Sequence, residues 1–349
     1  MRIIAAASAF PANYYSQEFL TSALSAFWAD KLPNPEILRR LHVNACVDGR
    51  HLARPIQDYY EMRTFGDFNG AWMEAAEDLG SKALCRAVTQ AGVSRGEIGA
   101  LFFVSVTGIS SPSIDARLIN KLKLSPNTRR IPIFGLGCVA GAAGIARAAD
   151  YVKAYPSQVA ALVSVETCSL TLQRNDLTAA NLISSGLFGD GAAAVLVAGD
   201  QIERPGPEIV ATRSTLYPDT EEAMGWKVSE RGFEIVLSPD VPKVIREHLG
   251  HDVDAFLDEH DLRRSDIGAW VLHTGGPKVL EATQDALGID RAALEVSWDC
   301  LRTMGNLSSA SVLCVLEKFM TAKRPKAGTW GILAAMGPGF CSELVLMRW

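Results

Sequence analysis

The chain has 349 residues, 48% of them hydrophobic, enough to bury a large core and to be read as one or two fused globular domains. Its formal net charge of -5 and pI near 5.8 come from scattered charges with no basic block, which excludes the footprint of a nucleic-acid binder. Seven cysteines without any CxxC argue against a disulfide scaffold and a zinc site, and no apolar run reaches the roughly 18 to 20 residues of a membrane span. A cytoplasmic protein with no DNA or RNA partner is expected.

In chain order, residues 1–10 carry the Arg, short apolar run and small residues of a signal peptide. The run breaks at Pro11 and the free cysteines argue against export, so it is read as a buried first strand. Further apolar, β-rich runs are 100–106, 131–134, 159–165, 192–197, 270–272 and 330–336, alternating with helical patterns and Gly-rich turns. That alternation predicts an α/β fold, and the near-continuous hydrophobicity of the strands predicts a sheet covered on both faces. Ser94-Arg95-Gly96-Glu97-Ile98-Gly99-Ala100 and Arg264-Ser265-Asp266-Ile267-Gly268-Ala269 each lead an acidic residue and Ile-Gly-Ala into a strand, about 170 residues apart. This echo suggests two halves with related layouts. The polar stretch 200–207, with Pro205 and Pro207, is the natural join, giving halves 1–203 and 204–349.

The most informative segment ends a strand in the turn Gly135-Leu136-Gly137-Cys138-Val139-Ala140-Gly141 and continues as an alanine-rich helix. Cys138 therefore stands where strand passes to helix, facing free N–H groups and the positive end of the dipole, which favour the thiolate of a nucleophile. Read alone, it is equally a small buried hydrophobe. A rival reading makes Gly135-x-Gly137-x-x-x-Gly141 a dinucleotide loop with Glu166 on the ribose, but the glycine spacing is one residue too long and a bulky Cys occupies the turn. His273 closes a strand before Thr274-Gly275-Gly276-Pro277, at a strand end where open α/β sheets carry their sites; a structural hydrogen-bonding role is the alternative. Asn306 precedes an apolar helix, and for it a helix cap is the alternative.

Gly137-Cys138-Val139-Ala140-Gly141, Leu187-Phe188-Gly189-Asp190-Gly191-Ala192-Ala193, His273-Thr274-Gly275-Gly276-Pro277, Gly305-Asn306-Leu307-Ser308-Ser309-Ala310 and Gly337-Pro338-Gly339-Phe340 occur in the order found in type III polyketide synthases. The chain resembles this chalcone-synthase-like family of the thiolase superfamily over nearly its whole length. The resemblance implies a duplicated thiolase fold, five-layered α-β-α-β-α, and a homodimer with one active site per subunit. It implies that Cys138 carries the growing acyl chain, that His273 and Asn306 complete a catalytic triad, and that Phe188 stands at the junction between a coenzyme A tunnel and the cavity. Gly189-Asp190-Gly191 then reads as a structural turn and not a metal site. Val106, Thr107, Ser111, Cys168, Thr171, Gly225, Ile235 and Ser308 align with cavity positions, and Arg40 with a coenzyme A-contacting base in the basic segment from Arg39 to His51. The substrates would be acyl-CoA and malonyl-CoA, with no metal or organic redox cofactor.

Glycine at position 225 leaves room in the cavity, and small or aliphatic walls fit an alkyl tail. A medium- or long-chain fatty acyl-CoA starter giving alkylpyrones or alkylresorcinols is therefore expected, in keeping with stretches 103–117 and 224–226, which look most like bacterial alkylpyrone-forming members. The alternatives are self-priming with malonyl-CoA to tetrahydroxynaphthalene, a condensing enzyme of the ketoacyl synthase III kind fed by acyl carrier protein, and a Cys/His hydrolase.

Overall fold

The computed structural model describes residues 1–32 and 34–349. The chain begins with β1 (Arg2–Ala9), β2 (Asn13–Ser16), α1 (Gln17–Phe27), α2 (Pro35–Asn44) and β3 (Gly49–Leu52). There follow α3 (Asp58–Glu61), α4 (Phe65–Ala91), β4 (Ile98–Val104), α5 (Ile114–Leu122), β5 (Arg129–Ile133), α6 (Ala140–Ala154), β6 (Val159–Thr167), α7 (Ala179–Leu187) and β7 (Asp190–Ala198). The remainder is β8 (Glu208–Leu216), the hairpin β9 (Met224–Ser229) and β10 (Gly232–Leu237), α8 (Val241–Asp258), β11 (Ile267–Leu272), α9 (Pro277–Leu287), α10 (Glu295–Met304), α11 (Ser309–Thr321), β12 (Trp330–Gly337) and β13 (Cys341–Arg348).

Nine strands join in the order β11-β12-β13-β8-β1-β7-β6-β4-β5, with β1 meeting β8 at Arg2 and Glu208. On one side of that meeting β4 and β6 are parallel and β6 and β7 antiparallel; on the other, β11 and β12 are parallel and β12 and β13 antiparallel. The sequence echo falls on equivalent strands. β4 and β11 each follow a short turn closed by an acidic side chain, Glu97 accepting from Ser94 N at 2.6 Å and Asp266 from Arg263 N at 2.8 Å. Both strands shift register at the same place, Ile98/Ala100 and Ile267/Ala269.

Burial sorts these elements into five layers. Helices α4 and α5 cover β1, β4, β6 and β7 from outside, α8, α9 and α10 cover β11, β12 and β13, and α6 with α11 fills the space between the two strand sets. The small residues of α6 allow this central packing: a Cβ at Gly141 would lie 2.3 Å from Ser309 O of α11, so only glycine fits. The predicted double covering holds for β6 and β7, which are buried along their whole length. It fails for β5, an edge strand with Arg129, Arg130 and Pro132 exposed. Residues 200–207 run between β7 and β8.

Candidate active site

Cys138 lies in the single 3-10 turn Gly137–Val139 that leads straight into α6, the strand-to-helix position read from the sequence. The local dipole does not decide its charge, however. Cys138 is only 6% exposed, and burial pushes its thiol up to about 12, outweighing the hydrogen bonds from Ser308 and Asn306 that pull it down. Its Sγ donates to Ser308 Oγ at 3.6 Å, and Ser308 itself is held at φ 48 at the start of α11. His273 continues the pairing of β11, donating its N–H to Ala334 O at 3.0 Å. Burial pushes its imidazole down to about 4, and its Nδ1 has no hydrogen-bond partner among the described residues. In place of the thiolate expected at the helix terminus, burial thus favours a neutral thiol beside a neutral imidazole, because desolvation penalises each charge separately.

Cys138, His273, Asn306 and Phe188 line one cavity, whose other walls are largely apolar: Leu187, Met224, Leu237, Val241, Val279, Met336 and Phe340 among them. The Asn306 amide is oriented by its neighbours. Its Oδ1 accepts from Ser308 N at 2.8 Å and Ser311 Oγ at 3.3 Å, while Nδ2 has a long contact to Gly275 O at 3.3 Å and remains the donor end. Phe188 is tied to Asn306 through the main chain, with Asn306 N donating to Leu187 O at 2.9 Å and Gly189 N to Asn306 O at 3.0 Å. Such a site can place a nucleophilic sulfur, a base and two N–H donors around one carbonyl group.

A second cavity lies beyond Phe188, lined by Cys168, Thr171, Ile235, Trp226 and the apolar side chains of α1. Thr171 also faces a third cavity with Thr107, while Ser111 lines a separate concavity beside Trp72 and Phe134. Val106 and Thr107 are drawn into a buried network: Val106 N and Thr107 Oγ1 donate to Glu166 Oε2 at 3.1 and 3.0 Å. Gly225 sits between Met224 of the catalytic cavity and Trp226 of the second, and a Cβ there would meet open space. Arg40 is exposed on α2 and lines none of these cavities.

One sequence reading is corrected here, that of Arg50, and the dinucleotide rival already set aside finds no support at Glu166. Glu166 is fully buried and receives Ser309 as well as Val106 and Thr107, so it holds no ribose; burial pushes its carboxyl up to about 7. Arg50, placed by sequence in the basic segment, is 3% exposed and points its guanidinium into the protein. Asp190 accepts from Ala53 N at 2.6 Å and Ser169 N at 2.8 Å, a structural tie, though it opens strand β7 where a turn was expected. The buried partners Gln17 and His42 carry no sequence signal, since nothing in spacing alone reveals what a distant segment will bury.

The chalcone and stilbene synthase N-terminal domain matches residues 62–201, and the C-terminal domain of the same family matches 208–349. A 1,3,6,8-tetrahydroxynaphthalene synthase of Streptomyces peucetius subsp. caesius is 47% identical over 350 residues, covering 99% of this chain and 93% of that protein. A putative chalcone synthase of Bacillus subtilis is 36% identical, covering 99% and 98%. The crystal structure of 1,3,6,8-tetrahydroxynaphthalene synthase from Streptomyces coelicolor A3(2), a bacterial type III polyketide synthase, superposes with a TM-score of 0.95 at 32% identity over 100% of this chain and 99% of that one. With its layered mixed sheet and its match to both domains, the chain belongs to the chalcone and stilbene synthase family and is a type III polyketide synthase.

Proposed function

We propose that the chain primes with malonyl-CoA, extends with further malonyl-CoA and closes the resulting poly-β-ketone to a tetrahydroxynaphthalene-type product. The observation that carries this reading is the 47% identity, over essentially the whole chain, to a protein named for that product. It favours this reading over the fatty-acyl starter expected from the sequence. That second reading keeps one observation in its favour, the apolar lining of the cavity beyond Phe188 by Leu20, Leu24, Phe27 and Phe68.

In the proposed mechanism Cys138 gives its proton to His273 as Sγ attacks the thioester carbonyl, and coenzyme A leaves as its thiol with that proton. Neither charge exists in the resting apolar site, so each must appear with the other beside it. A malonyl thioester then loses carbon dioxide, its bonding pair passing to the thioester oxygen as an enolate. The ring N–H of His273 and Nδ2 of Asn306 hold that oxygen, and apolar Phe188 leaves the departing carboxylate unsolvated. The enolate carbon attacks the acyl-Cys138 carbonyl, the C–S bond breaks, and the extended chain stays on coenzyme A until it returns to Cys138. Arg40 contacts coenzyme A phosphate in this proposal, and the chain acts as a homodimer.

Incubation of the purified protein with malonyl-CoA alone, then with acyl-CoA starters from short to long, tests the reading by product mass. A ten-carbon aromatic from malonyl-CoA alone is expected. Product that forms only when a fatty acyl-CoA is supplied would reverse the choice of starter.

A further inference from the structure

We propose that Arg50 is a positioning residue that sets the Phe188–Asn306 junction, acting through main-chain carbonyls at the end of α7; the proposal rests on the roles given above to Phe188 and Asn306. Arg50 projects from β3 and is 3% exposed. Its Nη1 donates to Gly186 O at 3.0 Å and to Gln17 Oε1, and its Nη2 donates to Ser185 O. Gln17 Nε2 donates to the same Gly186 O at 2.7 Å and to His42 O at 3.1 Å, while His42 Nε2 meets Ser185 Oγ at 3.1 Å. These are last-turn carbonyls of α7, where the negative end of the helix dipole favours a cation.

The next residues out of this clamp are the ones that fix the site. Leu187 O accepts from Asn306 N and Gly189 N donates to Asn306 O, so the end of α7 sets where Asn306 lies. The stem of Arg50 lies against both paired segments: a Cβ at Gly189 would stand 3.2 Å from Arg50 Cβ, and one at Gly305 3.7 Å from Arg50 Cδ. Gly305, at φ +72, admits no side chain in any case, since its Cβ would be 2.7 Å from Leu187 O. Burial brings Arg50 down to about 10, which leaves it charged at neutral pH, and Asp190 supplies a nearby negative charge. A desolvated cation is a costly way to fill a wall that an apolar side chain could seal; here it holds two carbonyls in one geometry.

Loss of the clamp should shift Asn306 relative to His273 while Cys138 keeps its place at the start of α6, and a displacement near 1 Å costs on the order of 10²-fold in rate. The test measures malonyl-CoA decarboxylation and, separately, iodoacetamide alkylation of the Cys138 peptide in Arg50→Met, Arg50→Lys, Gln17→Leu and Asn306→Ala. In Arg50→Met, kcat for decarboxylation should fall on the order of 10-fold or more, while KM for malonyl-CoA and the alkylation rate change much less. Arg50→Lys, which keeps a cation for one carbonyl, should recover part of the loss. Gln17→Leu should show the same split at smaller size, and it carries the test if Arg50→Met does not fold. Decarboxylation and alkylation falling in equal proportion would make Arg50 merely structural and overturn the proposal. Loss in Asn306→Ala with none in either clamp variant overturns the clamp alone; parent-rate decarboxylation in Asn306→Ala overturns the site reading beneath it.

Discussion

The end of β4 with the start of α6, and the end of β11 with the start of α11, are the same two positions in the two strand sets. In the first, β4 runs out into Ser105, Val106 and Thr107 around the buried Glu166, and α6 begins behind Cys138. In the second, β11 runs out into His273, and α11 begins behind Asn306 and Ser308. The polar groups at the end of β4 satisfy one another. Those at the end of β11 do not: among the described residues His273 Nδ1 has no partner, and the bond of Asn306 Nδ2 to Gly275 O is long at 3.3 Å. A repeated scaffold thus offers each position twice, and unsatisfied polar groups mark where a reacting molecule completes the bonding.

Removing the sulfur breaks this division of labour most completely. Cys138→Ala should end product formation and acyl loading altogether, measured by product mass. On the other side, His273→Ala or Asn306→Ala should each lower malonyl-CoA decarboxylation by about 10²- to 10³-fold, the usual worth of one such donor, with thermal unfolding little changed. Decarboxylation at the parent rate in either variant would show that the β11 copy does not hold the enolate.

The charges sharpen the comparison further. With Cys138 at about 12 and His273 at about 4, neither group is charged alone near neutral pH. His273→Ala should therefore shift the pH midpoint of Cys138 alkylation upward, because burial then acts on the thiol without a base to take its proton. An unchanged midpoint would mean that His273 does not serve the sulfur. The same imidazole has a folded value below its ordinary 6.5, so its contribution to stability is present above 6.5 and is lost as pH falls toward 4. Denaturant unfolding of parent and His273→Ala across that window should show the parent losing stability more steeply toward acid.

Packing between the two sets comes next in size. Gly141→Ala drives a Cβ against Ser309 O, 2.3 Å away in the native backbone, and should cost about 1–3 kcal/mol, read as a lowered unfolding midpoint. The smallest effect is expected at Arg40, exposed on α2: Arg40→Ala should raise KM for malonyl-CoA by about 2- to 5-fold with kcat unchanged. No change in KM would remove Arg40 from the coenzyme A site.

Strands whose hydrophobicity runs long, such as β7 and β12, could be read directly from the residues, as could the strand-turn-helix around Cys138. Strand β8 could not, because Glu208, Thr212, Arg213 and Thr215 interrupt it and its residues are half-exposed. Strand β13 hides in the same way behind Ser342 and Glu343. The helix-terminal dipole at Cys138 is visible in sequence, but the burial that overrides it is not, since the cavity around Cys138 takes walls from distant segments, Phe188 and Met336 among them. Arg50 differs from Arg39 and Arg40 in nothing that a sequence displays; only the carbonyls at the end of α7 make it an interior residue. The cavity beyond Phe188 was the least legible feature, since it takes walls from α1, α7 and the β9–β10 hairpin at once.

Trapping the enzyme during turnover tests the central claim most directly. The protein is quenched seconds after mixing with malonyl-CoA, digested, and the peptide bearing Cys138 is weighed. A ladder of adducts on Cys138, each longer by one two-carbon ketide unit, is predicted, with the other six cysteines unmodified. An adduct ladder on another cysteine, or active turnover with Cys138 always bare, would contradict the account.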